Sequence, residues 1–211
     1  MSEETRLREA ICEHGRLLFG RGFSVGSAGN ISVRLPDGFL ITPTNSCLGR
    51  LDPARISKLD PEYRHVSGDK PSKEVFMHRA FLATRPEAQA VVHLHSTHAT
   101  AIACLASPGE TRPIPPLTPY FVMRIGPSLP VIRYFRPGDP AMEPAIAEAA
   151  KEARAVLLAN HGPVVSGKSL DDAVYAAEEL EEAARLALLL RDHGARSLTP
   201  EEMSDLLRNF G

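Results

Sequence analysis

Residues 90–95 read Ala90-Val91-Val92-His93-Leu94-His95, and residues 155–162 read Ala155-Val156-Leu157-Leu158-Ala159-Asn160-His161-Gly162. Both stretches are short, apolar and partly β-branched, which suits buried strands. The first leads into a helix expected over about 97–105. The second ends at Asn160-His161-Gly162, after which Val164 and Val165 can continue the pairing. One residue separates His93 from His95, so on a strand their side chains leave the same face. Three imidazoles on rigid elements are the ligand set of a catalytic zinc that keeps one position open. As spacing alone, the pattern equally admits two hydrogen-bonded core histidines and an unrelated turn histidine.

The flanking sequence supplies the remaining elements. Leu7, Ala10, Ile11, Leu17 and Leu18 recur with a helical period that stops at Gly20 and Gly22. Ile31, Val33 and Leu35 alternate with polar residues, and Pro36-Asp37-Gly38 turns the chain into Phe39–Thr42 as a hairpin. Ser72 is the expected N-cap of a helix from Lys73 to Arg85 that buries Val75, Phe76, Phe81 and Leu82 and carries Glu74 in its first turn. A strand over Val131–Phe135 and a helix over Pro140–Arg154 come next. Ser169 caps a long helix to about Arg191, and Thr199-Pro200-Glu201-Glu202 opens a short last one. Strands alternate with helices, which predicts a single α/β domain over residues 1–211 with one mixed sheet between helix layers.

Composition narrows the function classes. The 211 residues are 43% hydrophobic and 24% charged, with a formal net charge of -2, values of an ordinary globular domain. Such a charge provides no broad positive field for a nucleic acid. Cys12, Cys47 and Cys104 are far apart and form no CxxC pair, as expected in a reducing compartment. The opening MSEETRLREAICEHG is charged where a signal peptide would be apolar, and the longest apolar runs, 183–190 and 153–159, are too short to span a bilayer. A cytoplasmic protein with neither membrane nor nucleic-acid partner is expected.

Five motifs in order resemble the class II aldolase and adducin family over nearly the whole chain: residues 26–32 (GSAGNIS), 41–44 (ITPT), 71–74 (PSKE), 90–96 (AVVHLHS) and 157–162 (LLANHG). The resemblance implies a three-layer fold with a mixed, largely antiparallel central sheet flanked by helices. It implies Zn2+, or another divalent metal, held by His93, His95 and His161, with Glu74 approaching the metal and transferring protons. It also implies a phosphate pocket built from Asn30, Thr44, Asn45, Ser72 and Lys73, and a homo-oligomer, a tetramer in related enzymes. Physically, a helix start beside Ser72 and Lys73 would favour an anion. Taken singly, Asn30 and Ser32 also suit turn and strand chemistry, and Ser72 a simple cap.

Many family aldolases carry two serines before the glutamate, whereas this chain has Ser72-Lys73. That change, with residues 67–74, 116–124 and 134–139, resembles the branch that decarboxylates 3-oxo-tetronate 4-phosphates, small phosphorylated sugar acids, to dihydroxyacetone phosphate. Aldolases of the fuculose-phosphate type and ribulose-phosphate 4-epimerases share every metal residue, and a non-catalytic adducin-like domain would need no open metal site. Tyr120 matches a family tyrosine that donates a proton and reaches a neighbouring subunit's site. Arg124 is left between carboxylate binding and a surface salt bridge. His14, His65, His78, His98, His193 and the cysteines receive no role.

Overall fold

Ser2 accepts the Thr5 backbone N–H on its side-chain oxygen and so opens the first helix, α1 (Glu3–Gly20); Gly22, at φ 78°, turns the chain away after it. The structure is a computed structural model that describes residues 1–210. The hairpin β1 (Asn30–Leu35) and β2 (Gly38–Ile41) follows, then β3 (Ser57–Leu59) and β4 (His65–Ser67). Helix α2 (Val75–Thr84) leads to β5 (Ala90–His93) and α3 (Thr97–Leu105). After α4 (Pro119–Ile125) come β6 (Val131–Ile132), α5 (Glu143–Ala150), β7 (Ala155–Leu158) and β8 (Gly162–Gly167). Ser169 caps α6 (Leu170–Leu189) as expected, accepting the Asp172 N–H at 3.0 Å, and α7 (Pro200–Phe210) ends the described chain.

Among the described residues the strands form one eight-stranded sheet in the order β4-β3-β2-β1-β5-β8-β7-β6. Only β6 and β7 pair in parallel, so the sheet is mixed and largely antiparallel. The two faces bury separate apolar clusters: α1, α3, α4 and α6 cover one, α2 and α5 the other. Strand alternation decides which residue meets which layer. Ile31, Val33, Ala90 and Val92 point into the first cluster. Their neighbours Asn30, Ser32, Val91 and His93 therefore face the layer of α2 and α5. Removing a fully buried side chain such as Phe81 from water stabilises by about 1.5–3 kcal/mol, and α2 is held to the sheet by Phe76, Met77, Ala80 and Phe81.

Several expected boundaries move. The helix expected from Lys73 begins at Val75, so Glu74 and not Ser72 is its N-cap. Ser72 instead closes a turn, with its Oγ accepting the Glu74 N–H at 3.2 Å. β5 stops at His93, leaving His95 in the link to α3. The strand expected to Phe135 ends at Ile132, and the helix expected over Pro140–Arg154 divides into a 3-10 turn (Pro140–Met142) and α5. Nor do strands alternate with helices throughout, since β1 to β4 run on with only 3-10 turns between them.

Candidate active site

The register of β1 on β5 sets Asn30 opposite His93, and the two side chains leave the α2 face together. Next to β5, strand β8 brings Pro163, whose carbonyl accepts the His93 Nδ1–H at 2.9 Å. That bond fixes the tautomer: the Nε2 of His93 carries a lone pair and faces inward. His95, just past the strand, places its Nε2 3.1 Å from that of His93 and 3.0 Å from that of His161. His161 sits in the β7–β8 turn, where Asn160 takes φ 57°, a conformation asparagine tolerates better than most residues. The N–H of Asn160 donates to the Ala103 carbonyl at 3.1 Å and ties the turn to α3. At the start of α3, the buried carboxylate of Glu181 accepts the backbone N–H groups of His98 and Ala99 at 2.9 Å each, which anchors the segment carrying His95.

Burial keeps all three imidazoles neutral at ordinary pH. It lowers His95 to about 4, aided by His161, and holds His93 well below its usual value. Burial also lowers His161, with Glu74 opposing and Lys73 adding to the effect. Three converging lone-pair nitrogens, one with a tautomer set by a backbone carbonyl, fit a divalent metal ion and no simple hydrogen-bonded triangle. The Glu74 carboxylate stands beside them, Oε2 at 3.8 Å from His93 Nε2 and Oε1 at 3.9 Å from His161 Nε2.

A cleft of about 570 Å³ opens over this cluster and is lined by His95, His161 and Glu74. Asn30, Thr44, Asn45, Ser72 and Lys73 line the same cleft. The bridge between Pro43 and Pro71 brings the loop of Thr44 and Asn45 against that of Ser72 and Lys73, and the Thr44 N–H donates to the Lys70 carbonyl at 2.9 Å. Tyr120 is 59% exposed on α4 and does not line this cleft.

Two residues at the site receive no role from the sequence. Tyr134 lines the cleft; it opens the 134–139 stretch that carries the branch resemblance, without a role of its own. His78 is buried behind Glu74, where Asn30 bonds both side chains. Its signal is the four-residue step from Glu74 to His78, which puts both on one side of a helix.

The family model for the class II aldolase and adducin N-terminal domain matches residues 9–188. The chain belongs to the class II aldolase and adducin family. A 3-oxo-tetronate 4-phosphate decarboxylase of Cupriavidus necator is 48% identical over 99% of this chain and 97% of its own length. An L-fuculose phosphate aldolase of Escherichia coli O157:H7 is 36% identical over 99% of this chain and 95% of its own. Among solved structures, YgbL from Escherichia coli superposes with a TM-score of 0.94 at 47% identity, covering 98% of this chain and 100% of that one. Both named relatives are lyases. The described residues include no helix long and apolar enough to cross a membrane.

Proposed function

We propose that this family member is a zinc-dependent decarboxylase of 3-oxo-tetronate 4-phosphates, working in the cytoplasm as a homotetramer. Near-full-length identity of 48% to a decarboxylase of that name carries the choice of reaction. Agreement with the site is chemical. The substrate is a β-keto acid with a phosphate at its far end, and the cleft joins a three-histidine cluster to an amino-acid set rich in anion donors.

Here Lys73, Thr44, Asn45, Ser72 and the second amide hydrogen of Asn30 hold the phosphate, with Lys73 adding a full charge. His93, His95 and His161 would hold the zinc, which supplies Lewis-acid polarisation of the ketone oxygen. With the substrate so fixed, the bond between the carboxylate carbon and the hydroxyl-bearing carbon breaks, carbon dioxide leaves, and its electron pair is delocalised toward the ketone. Glu74, within reach of the cluster, delivers a proton to the carbon left behind and gives dihydroxyacetone phosphate. An aldolase would run the same carboxylate in the opposite direction, as a base.

The test is a product assay with purified protein, zinc and 3-oxo-tetronate 4-phosphate, following carbon dioxide and triose phosphate. Equal release of both is expected. Cleavage of fuculose phosphate without decarboxylation of the keto acid would replace this reading with the aldolase one.

A further inference from the structure

We infer that His78 is a positioning residue for Glu74, acting through Asn30 in a one-directional hydrogen-bond chain that starts at Ser32; this rests on the proton-transfer role proposed for Glu74. The chain is determined group by group. Asn30 donates from Nδ2 to Glu74 Oε2 at 2.9 Å. Its Oδ1 can then only accept, and its partner is His78 Nε2, which must therefore carry the proton. His78 Nδ1 is left bare and accepts the hydroxyl proton of Ser32 at 2.7 Å. Every bond donates toward the carboxylate. Ser32 and His78 are buried and do not line the cleft, with His78 at 1% exposure, so the bonds that hold Asn30 from behind have no water as a ready substitute.

The fold makes the chain possible. Asn30 and Ser32 are two apart on β1 and face α2, while Glu74 and His78 are four apart at the start of α2. Burial favours neutral His78, the only form compatible with accepting at Nδ1. What the chain does is hold one oxygen of Glu74 on Asn30, so that the other, Oε1, is turned toward His161 and the cleft. A carboxylate free to rotate would lose the aim that proton transfer requires.

Gln and Asn variants separate this from general packing. Gln can place an N–H where His Nε2 stands; Asn retains a polar group only near Nδ1. His78→Asn should lower kcat by about 10–100-fold with zinc content retained and KM changed by less than about twofold, while His78→Gln recovers most of the rate. In a Glu74→Gln background His78→Asn should cost nothing more, because both act on the same step. Multiplying losses, equal losses for Asn and Gln, or an unaffected kcat in His78→Asn would each overturn the inference. Wild-type turnover by Glu74→Gln would instead remove the role of Glu74, and this inference with it. Nitrogen-15 NMR of the wild-type protein checks the tautomer without any variant: a proton on Nε2 supports the chain, and one on Nδ1 overturns it.

Discussion

Lys73 and Glu74 are adjacent in sequence yet differ in surroundings, one exposed at the cleft and the other buried beside the histidines. If Lys73 serves the phosphate, Lys73→Ala should weaken phosphorylated substrate by about 1.5–3 kcal/mol, the worth of a hydrogen bond to a charged group, with zinc unchanged. Isothermal titration against a phosphate-free analogue decides, since equal losses for both ligands would exclude the role. His78 gives a pH prediction. Burial lowers it from 6.5 to about 3, so below pH 6.5 the unfolded chain binds a proton that the folded chain refuses. Its contribution to stability is therefore complete above pH 6.5 and declines as pH falls toward 3, by up to about 1.4 kcal/mol per unit. Urea midpoints at pH 7 and pH 5 should fall further for wild type than for His78→Gln; equal falls would contradict the burial argument. The histidine cluster was legible only in part: His93 ends β5, but His95 lies just past it, so the two converge without sharing a strand face. The chain behind Glu74 was not legible, since Asn30 lies 44 residues from Glu74 and 48 from His78, and only the sheet brings them together.

At the scale of elements, the junction of β5, α3 and β8 sets the distance between His95 and His161. Gly162 stands at that junction: a Cβ there would lie 2.4 Å from the Leu94 carbonyl oxygen, which is backbone and cannot swing aside. Gly162→Ala should thus cost about 1–3 kcal/mol and loosen metal binding by pushing β8 from the segment that carries His95. Gly20→Ala is the control, with open space around its Cβ and a place inside α1. Thermal unfolding and zinc titration of the two variants test the idea, and equal behaviour would refute it. The buried strands β5 and β7 were readable from their apolar, partly β-branched runs, the first hairpin from its alternation and Pro36-Asp37-Gly38 turn, and α6 from its Ser169 cap. β3 and β4 were not, being three residues each, with all of β4 exposed. Helix α4 hid in a proline-rich run, where Pro119 in fact begins the helix and Thr118 Oγ1 accepts the Phe121 N–H at 3.3 Å. The misplaced start of α2 has a similar cause: Ser72 does bond a backbone N–H, but across a two-residue turn rather than a helical one.

For the whole molecule, the proton-donor role that the family resemblance implies for Tyr120 meets a cleft that Tyr120 does not line. It is exposed on α4, in the layer opposite α2, while the cleft opens on the side of Glu74. Within one chain the layered fold keeps the two apart; in a closed symmetric oligomer, an interface that set this surface against a neighbour's cleft would recur once per subunit. The homotetramer proposed above therefore predicts complementation between two inactive proteins. If the tyrosine role that the family resemblance implies holds here alongside Glu74, Tyr120→Phe should lose up to about 10²-fold in rate, and His95→Ala should lose its metal. Mixed in equal amounts and allowed to exchange subunits, they form hybrids in which an intact histidine cluster on one subunit faces an intact Tyr120 on the next. Random assembly makes about a quarter of the sites whole, so activity should rise to roughly that fraction of wild type. Native mass spectrometry with one of the two variants isotope-labelled establishes that hybrids have formed. Hybrids as inactive as their parents would show that Tyr120 acts within its own chain or not at all, whereas a near-quarter recovery requires the site to be shared across the subunit boundary.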